Sequence, residues 1–363
     1  MLSLLTAARF FAAFGVFCFH FVPRWIPSFD ERAPLLLVHF TRTGYVFVPF
    51  FFLLSGFVLE HTYFRQKELC WREFLVKRFA RLAPAFWLSL VLGLVPAWMA
   101  LERSGAGGKL PAYLMIHLSF LGSWFPEAGV LNYPAWSIHS EVFFYLLFPF
   151  FLRWGAGYSA ARNLLQLFAL LLVGWAVQGL GAWWEPGVFA WNGLNQGKPG
   201  YSSWVMDFLQ IHPVVHLPEF LMGICLSRLR RLWIQPPVRS ALAMMAIALM
   251  ATAGAILHAE RIPYLWLNSV FLVPAFAAVI LGLAILPWQA PAWLMLLGEA
   301  SYSLYILHVP LRDWASAVKG RFLTGADPIV FTLTVMLAVL VLSVASYRWV
   351  EVPGRKFLLR MRP

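Results

Sequence analysis

Apolar runs of about twenty residues follow one another from end to end of this chain, too many for a water-soluble core to bury. Spans are read at 2–22, 36–60, 84–101, 139–154, 163–181, 208–227, 240–258, 264–286, 292–311 and 328–350. Runs such as Ala241–Leu257 and Leu265–Leu286 are continuous rather than alternating, which predicts helices and not barrel strands. Charged residues make up 12% of the chain, where a soluble domain carries about 25%. The expected fold class is all-α, a polytopic membrane helix bundle of about ten spans. Its 18 tryptophans and 11 tyrosines suit belts at the two membrane surfaces. A net charge of +12 does not point to nucleic acid here, because the lysines and arginines gather between the spans.

That gathering predicts orientation. Arg65, Lys67, Arg72, Lys77, Arg78 and Arg81 fill the loop read at 62–83. Arg153 with Arg162, the group Arg228, Arg230, Arg231 and Arg239, and the tail Arg355, Lys356, Arg360 and Arg362 mark further cytoplasmic segments. Arg312, Lys319 and Arg321 run against the scheme. An even number of spans must separate 62–83 from 228–239, so Tyr113–Phe125 is expected to be partial or re-entrant. Both termini are then cytoplasmic, residues 182–207 form a long outer loop, and residues 1–353 make one transmembrane domain followed by a short basic cytoplasmic tail, 354–363. No basic stretch precedes the first run, so it is expected to stay as a helix rather than be cleaved. Cys18, Cys70 and Cys225 form no framework. No metal is expected: His212 and His216 have a ligand-like spacing, but Pro213 and Pro218 interrupt it and no third ligand is evident. His117 reads as structural. Arg42 is unusual within a span, and an interface position or a pairing with Asp30 or Glu31 is the reading for it.

The first span carries an arginine and a histidine, Arg9 and His20. Eleven residues of helix rise roughly 16 Å and turn to within ~20° of three full turns, so both lie on one face at different depths. Ionisable residues inside a bilayer are costly and mark functional sites by default. The alternative is snorkelling at the two ends of the helix. Glu141, read at the outer start of the fourth span, and His212, His216 and Glu219 in the sixth add to the intramembrane ionisable set.

Seven short patterns then occur in order. They are Arg9 to His20; Phe51-Phe-Leu-Leu-Ser-Gly-Phe57; Arg78-Phe-Ala-Arg81 with Pro84 and Trp87; Trp136-Ser137 with Glu141 and Phe144-Tyr145; Pro218-Glu-Phe-Leu-Met-Gly223; Ser301-Tyr-Ser-Leu-Tyr305 with His308; and Glu351-Val-Pro353. Together they resemble the acyltransferase 3 family of integral-membrane O-acyltransferases, whose members modify bacterial surface sugars and some small molecules. The resemblance runs the length of the chain. Pro49 stands where relatives often carry an acid, and Val142-Phe143 replace polar residues, departures that bear on the acceptor more than on the reaction.

The resemblance implies transfer of an acyl group, acetyl foremost, from cytosolic acyl-CoA to a hydroxyl of a carbohydrate or lipid-linked glycan, in the inner membrane of a bacterium. A small hydroxylated metabolite such as a macrolide is the alternative acceptor. Acyl transfer to an alcohol needs a base, and histidine's ordinary pKa near neutrality suits His20 to it. Glu141 is expected to orient His20 or the acceptor; the structural alternative is a helix-start glutamate. Arg78 and Arg81, three residues apart, share a face if their segment is helical, and with Arg9 are the donor-binding candidates, since arginine clamps phosphate with two parallel bonds. Membrane anchoring alone would also explain them. Trp136, Ser137, Tyr145 and the stripe Ser301, Tyr305 and His308 are cavity candidates, or interhelical hydrogen-bond glue. A proton-coupled transporter or flippase is the reading from another class, yet such folds often show internal repeats and none is visible.

Overall fold

The computed structural model describes residues 2–26, 29–66, 69–155, 157–194, 203–232 and 236–361. Lys67, Arg362 and residues 195–202 of the long loop lie outside them, as does the side chain of Asp30.

The first span is α1 (Ser3–Trp25). The second is broken. A single turn, α2 (Phe29–Arg32), and α3 (Leu35–Arg42) lead through a 3-10 turn, Gly44–Phe47, into α4 (Val48–Tyr63). Thr43 helps to end α3 by donating its hydroxyl to the carbonyl of His39 (2.8 Å). Pro49 sits in the first turn of α4, where a missing N–H leaves no bond unmade.

The segment expected as a basic loop is mostly helix. α5 (Trp71–Arg103) has 33 residues, and Arg72 to Arg81 form its first three turns. Arg78 and Arg81 therefore do share a helix face. α6 (Leu110–Leu118) has nine residues, a rise of about 14 Å against a hydrocarbon core of about 30 Å, so it does not cross. α7 (Ala135–Arg153) starts four residues earlier than expected, which puts Glu141 nearly two turns inside the helix. α8 (Ala160–Trp184) begins at Ser159, whose hydroxyl accepts from the N–H of Arg162.

α9 (Trp204–Ile211) and α10 (Pro213–Leu232) form one rod broken at His212, followed by α11 (Val238–Leu257). The stretch read as a continuous span at 264–286 is instead α12 (Tyr264–Leu267) and α13 (Val273–Ile285). Two polar residues divide them, and both bond to other helices: Asn268 donates to the carbonyl of Gln210 (3.0 Å) and Ser269 to the carboxylate of Glu219 (3.2 Å). The chain ends in α14 (Ala292–Phe322), α15 (Pro328–Ser346), a π-helical turn at Tyr347–Glu351 and α16 (Val352–Arg360). Among the described residues nine helical stretches are long and apolar enough to cross a membrane, and α13 is the shorter companion. The all-α polytopic bundle is therefore the fold.

Glycine sets the central crossing. A Cβ on Gly56 of α4 would lie 2.0 Å from the carbonyl oxygen of Phe220, and one on Gly223 of α10 would lie 2.0 Å from that of Leu53. The two backbones touch, as small residues permit between membrane helices. One turn on, Glu60 of α4 is buried and accepts two bonds from the Arg231 guanidinium, with Arg228 beside it (3.5 Å). Around this crossing Phe57, Phe74, Phe86, Phe144, Phe148 and Phe220 are fully buried. On α8, α11 and α15 the residues Leu165, Phe168, Ile247, Met250, Leu333 and Leu337 stay exposed and face the lipid.

Candidate active site

Among the described residues two cavities with polar linings lie inside the bundle. The first has a volume of about 130 Å³ and is lined by Arg9, Ser55, Arg78, Arg81, Glu141 and Tyr145 together with Ser137, Ser301, Tyr302 and Tyr305. Arg9 comes from the N-terminal third of α1, Ser55 from the middle of α4, and Arg78 and Arg81 from the opening turns of α5. The N-terminal end of α1 and the basic segment are thus at the same end of the bundle.

Polar groups in this cavity are organised in two sets. Glu141 accepts from the Ser55 hydroxyl (2.7 Å) and from the Tyr145 hydroxyl (2.5 Å) through one oxygen, Oε1. Arg81 forms an ion pair with Glu351, whose other oxygen accepts from Ser303 (3.0 Å). Three of the sequence patterns therefore meet at one carboxylate. Among the described residues Arg9 and Arg78 form no ion pair, and the Nε of Arg78 is buried without a partner. An arginine cavity with two such guanidiniums suits an anionic ligand.

The second cavity, about 300 Å³, is lined by His20, Phe19, Tyr45, Tyr133, Trp136, Gln210, Tyr264 and Asn268. Gln210 is its hub. Its side-chain amide donates to the hydroxyls of Tyr133 (2.6 Å) and Tyr264 (2.8 Å). Its carbonyl accepts from Asn268 (3.0 Å) and from His216 Nε2 (2.9 Å). His20 is half-buried and its ring lies 5.1 Å from that of His308. Nδ1 of His308 bonds the carbonyl of Leu304 (3.2 Å), and its Nε2 is buried without a partner among the described residues.

Arg9 and His20 therefore stand on one helix but in different cavities. The structure brings Arg9, Arg78, Arg81, Glu141, Tyr145 and Ser301 together, although the Ser301 hydroxyl turns back to the carbonyl of Gly298 (2.7 Å). It does not bring Glu141 to His20: the glutamate lines the arginine cavity, and the rings against His20 are those of Phe19 and His308. Trp136 lines the second cavity and packs on His216, with ring centres 5.2 Å apart. Ser137 and Tyr305 bond each other between the two cavities (2.8 Å). Among the described residues no group of three or more His, Cys, Asp or Glu could hold a metal ion.

Sequence reasoning passed over Ser55, Glu351, Gln210, Tyr133, Tyr264 and Asn268 as site residues. Ser55 and Glu351 fall within two of the seven ordered patterns, which is the signal the sequence offers for them. Uncharged Gln210 offers none.

A family described as an acyltransferase domain matches residues 3–348. The chain belongs to this acyltransferase 3 family. Among curated relatives it is 27% identical to Acyltransferase MdmB of Streptomyces mycarofaciens, over 99% of this chain and 93% of that protein. It is 23% identical to the putative peptidoglycan O-acetyltransferase YrhL of Bacillus subtilis, over 97% of this chain and 54% of the relative. It is 22% identical to O-acetyltransferase OatA of Staphylococcus aureus, over 97% of this chain and 57% of that one. The chain thus spans just over half the length of YrhL and OatA. No solved structure matches it. This acyltransferase 3 member is a multi-pass membrane O-acyltransferase.

Proposed function

We propose that this enzyme moves an acyl group, acetyl foremost, from cytosolic acyl-CoA to a hydroxyl of a carbohydrate or lipid-linked glycan, with His20 as general base. The observation that carries the reading is the adjacency of the two cavities, one rich in arginine and the other holding His20. The arginine cavity is smaller than the about 300–1,000 Å³ of sites that engulf a drug-sized ligand. It therefore admits the thioester end of the donor, while Arg9 and Arg78 meet its phosphates from the basic end. Glu141, held by Ser55 and Tyr145, balances the charge there. Arg81 stands beside them, already paired with Glu351.

The other cavity offers ring faces and amide groups, the complement of a sugar's C–H faces and hydroxyls. There the acceptor hydroxyl approaches His20. Its oxygen bonds to the thioester carbonyl carbon, the carbon–sulfur bond breaks, the hydroxyl proton passes to His20, and His20 gives that proton up to the departing thiolate. The names of OatA and YrhL as O-acetyltransferases support the acetyl group, and that of YrhL a glycan acceptor. The gathering of lysine and arginine at the arginine-cavity end supports a cytoplasmic donor side, with both termini inside and the enzyme in the bacterial inner membrane.

His20→Gln is the deciding variant. It keeps most of the volume and hydrogen bonding but cannot accept a proton. General-base catalysis contributes about 10²–10⁴ in rate, so transfer in membranes at matched expression should fall by that much while acyl-CoA still binds. Turnover near the wild-type rate would make α1 scaffold.

A further inference from the structure

We infer that the length of the transferred acyl group is selected where the two cavities meet, by Val48 and Tyr305. This rests on the donor and acceptor reading above. Val48 and Tyr305 line both cavities. In the transfer one carbon loses a bond to sulfur and gains a bond to oxygen. The sulfur reaches it from the arginine cavity, and the oxygen stands with His20 in the other. That carbonyl carbon is therefore at the junction, and whatever follows it in the acyl chain lies against these two side chains.

Both walls are stiff. Val48 is 5% exposed, opens α4 directly before Pro49, and as a β-branched residue has few rotamers to offer. Tyr305 is 6% exposed and is held at both ends of its ring. Its hydroxyl is 2.8 Å from the Ser137 hydroxyl, which also reaches the carbonyl of Pro134 (3.0 Å), and its ring meets that of Phe51 edge-on at 5.7 Å. A junction that cannot widen rejects a longer chain, and one methylene in a fitted apolar pocket discriminates by about 10–200-fold.

The experiment measures kcat/KM for acetyl-, propionyl- and butyryl-CoA in the full-length enzyme in membranes. Wild type should fall from acetyl to butyryl. Val48→Ala should raise the butyryl-to-acetyl ratio at least about tenfold. Val48→Ile, which keeps the site folded and narrows it, should lower the propionyl-to-acetyl ratio. Leu59→Ala, which enlarges the arginine cavity away from the junction, should leave both ratios in place. Ratios unmoved by either Val48 variant while acetyl transfer persists, or moved equally by Leu59→Ala, would overturn the assignment. Wild-type enzyme that transfers from no acyl-CoA would instead remove the donor reading, and this inference with it.

Discussion

Arg81 donates to the carboxylate of Glu351, 270 residues further along the chain. The carboxylate is almost wholly buried and Arg81 only slightly exposed. The pair ties the opening of α5, where Arg81 lines the arginine cavity, to the π-helical turn before α16. Removing one partner of a buried pair costs about 3–5 kcal/mol, because the other charge is left without compensation. Arg81→Ala and Glu351→Ala should each lower the thermal stability of the detergent-purified enzyme, and the double variant should lose much less than their sum. Additive losses would show that the two charges do not depend on each other.

Arg78 differs from Arg81 because it has no carboxylate partner among the described residues. Arg78→Ala should weaken acyl-CoA binding by about 1.5–3 kcal/mol for each charged hydrogen bond lost. Arg78→Lys should recover only part of this, since lysine keeps the charge without the two-pronged geometry. Affinity at fixed salt is the measurement. If the alanine variant binds as wild type does, the residue is a surface anchor.

His308 touches His20 and presents a buried nitrogen without a partner. His308→Gln should lower kcat with little change in KM for acyl-CoA, since the donor lies in the other cavity. Proportional loss in both would mean that α14 has shifted, and no loss at all would reduce the ring contact to packing.

The closeness of α4 and α10 leaves no room for a side chain at the crossing. Gly223→Val has to push against the Leu53 carbonyl and should cost about 1–3 kcal/mol or more of stability. A melting temperature equal to that of wild type would mean that the helices do not approach as described.

Nine residues of α6 cannot cross the bilayer, so Ser104 and Val130 belong on one face. With Cys18, Cys70 and Cys225 replaced, single cysteines at these two positions should be labelled by an impermeant thiol reagent from the same side. Labelling from opposite sides would make the segment a true span.

Arg9, His20 and Glu141 stand out in the sequence because an ionisable group in an apolar run is expensive and therefore conspicuous, whereas Arg78 and Arg81 stand out by their three-residue spacing in a basic segment. Their grouping was harder to read. The sequence reads Glu141 as orienting His20 or the acceptor; α7 begins at Ala135, and the added turn sets the carboxylate on the arginine side. The partner of Arg81 is hidden because no local rule connects positions so far apart. Gln210 and its tyrosines carry no charge, so nothing in the sequence distinguishes them from interfacial residues. Average hydropathy also concealed the break between α12 and α13, since Asn268 and Ser269 are outweighed by the apolar residues around them.

The Glu60–Arg231 contact also sets a schedule for making the protein. The two residues are 171 positions apart, which at roughly 5–20 residues per second of synthesis is about 9–34 s. For that interval Glu60 has left the ribosome and neither Arg228 nor Arg231 has followed. Its carboxylate has to wait at headgroup level. α4 therefore reaches its final depth only when α10 arrives. A nascent chain stopped after α8 should be cleared by membrane proteases sooner than one stopped after α11, whose acid has already met its bases.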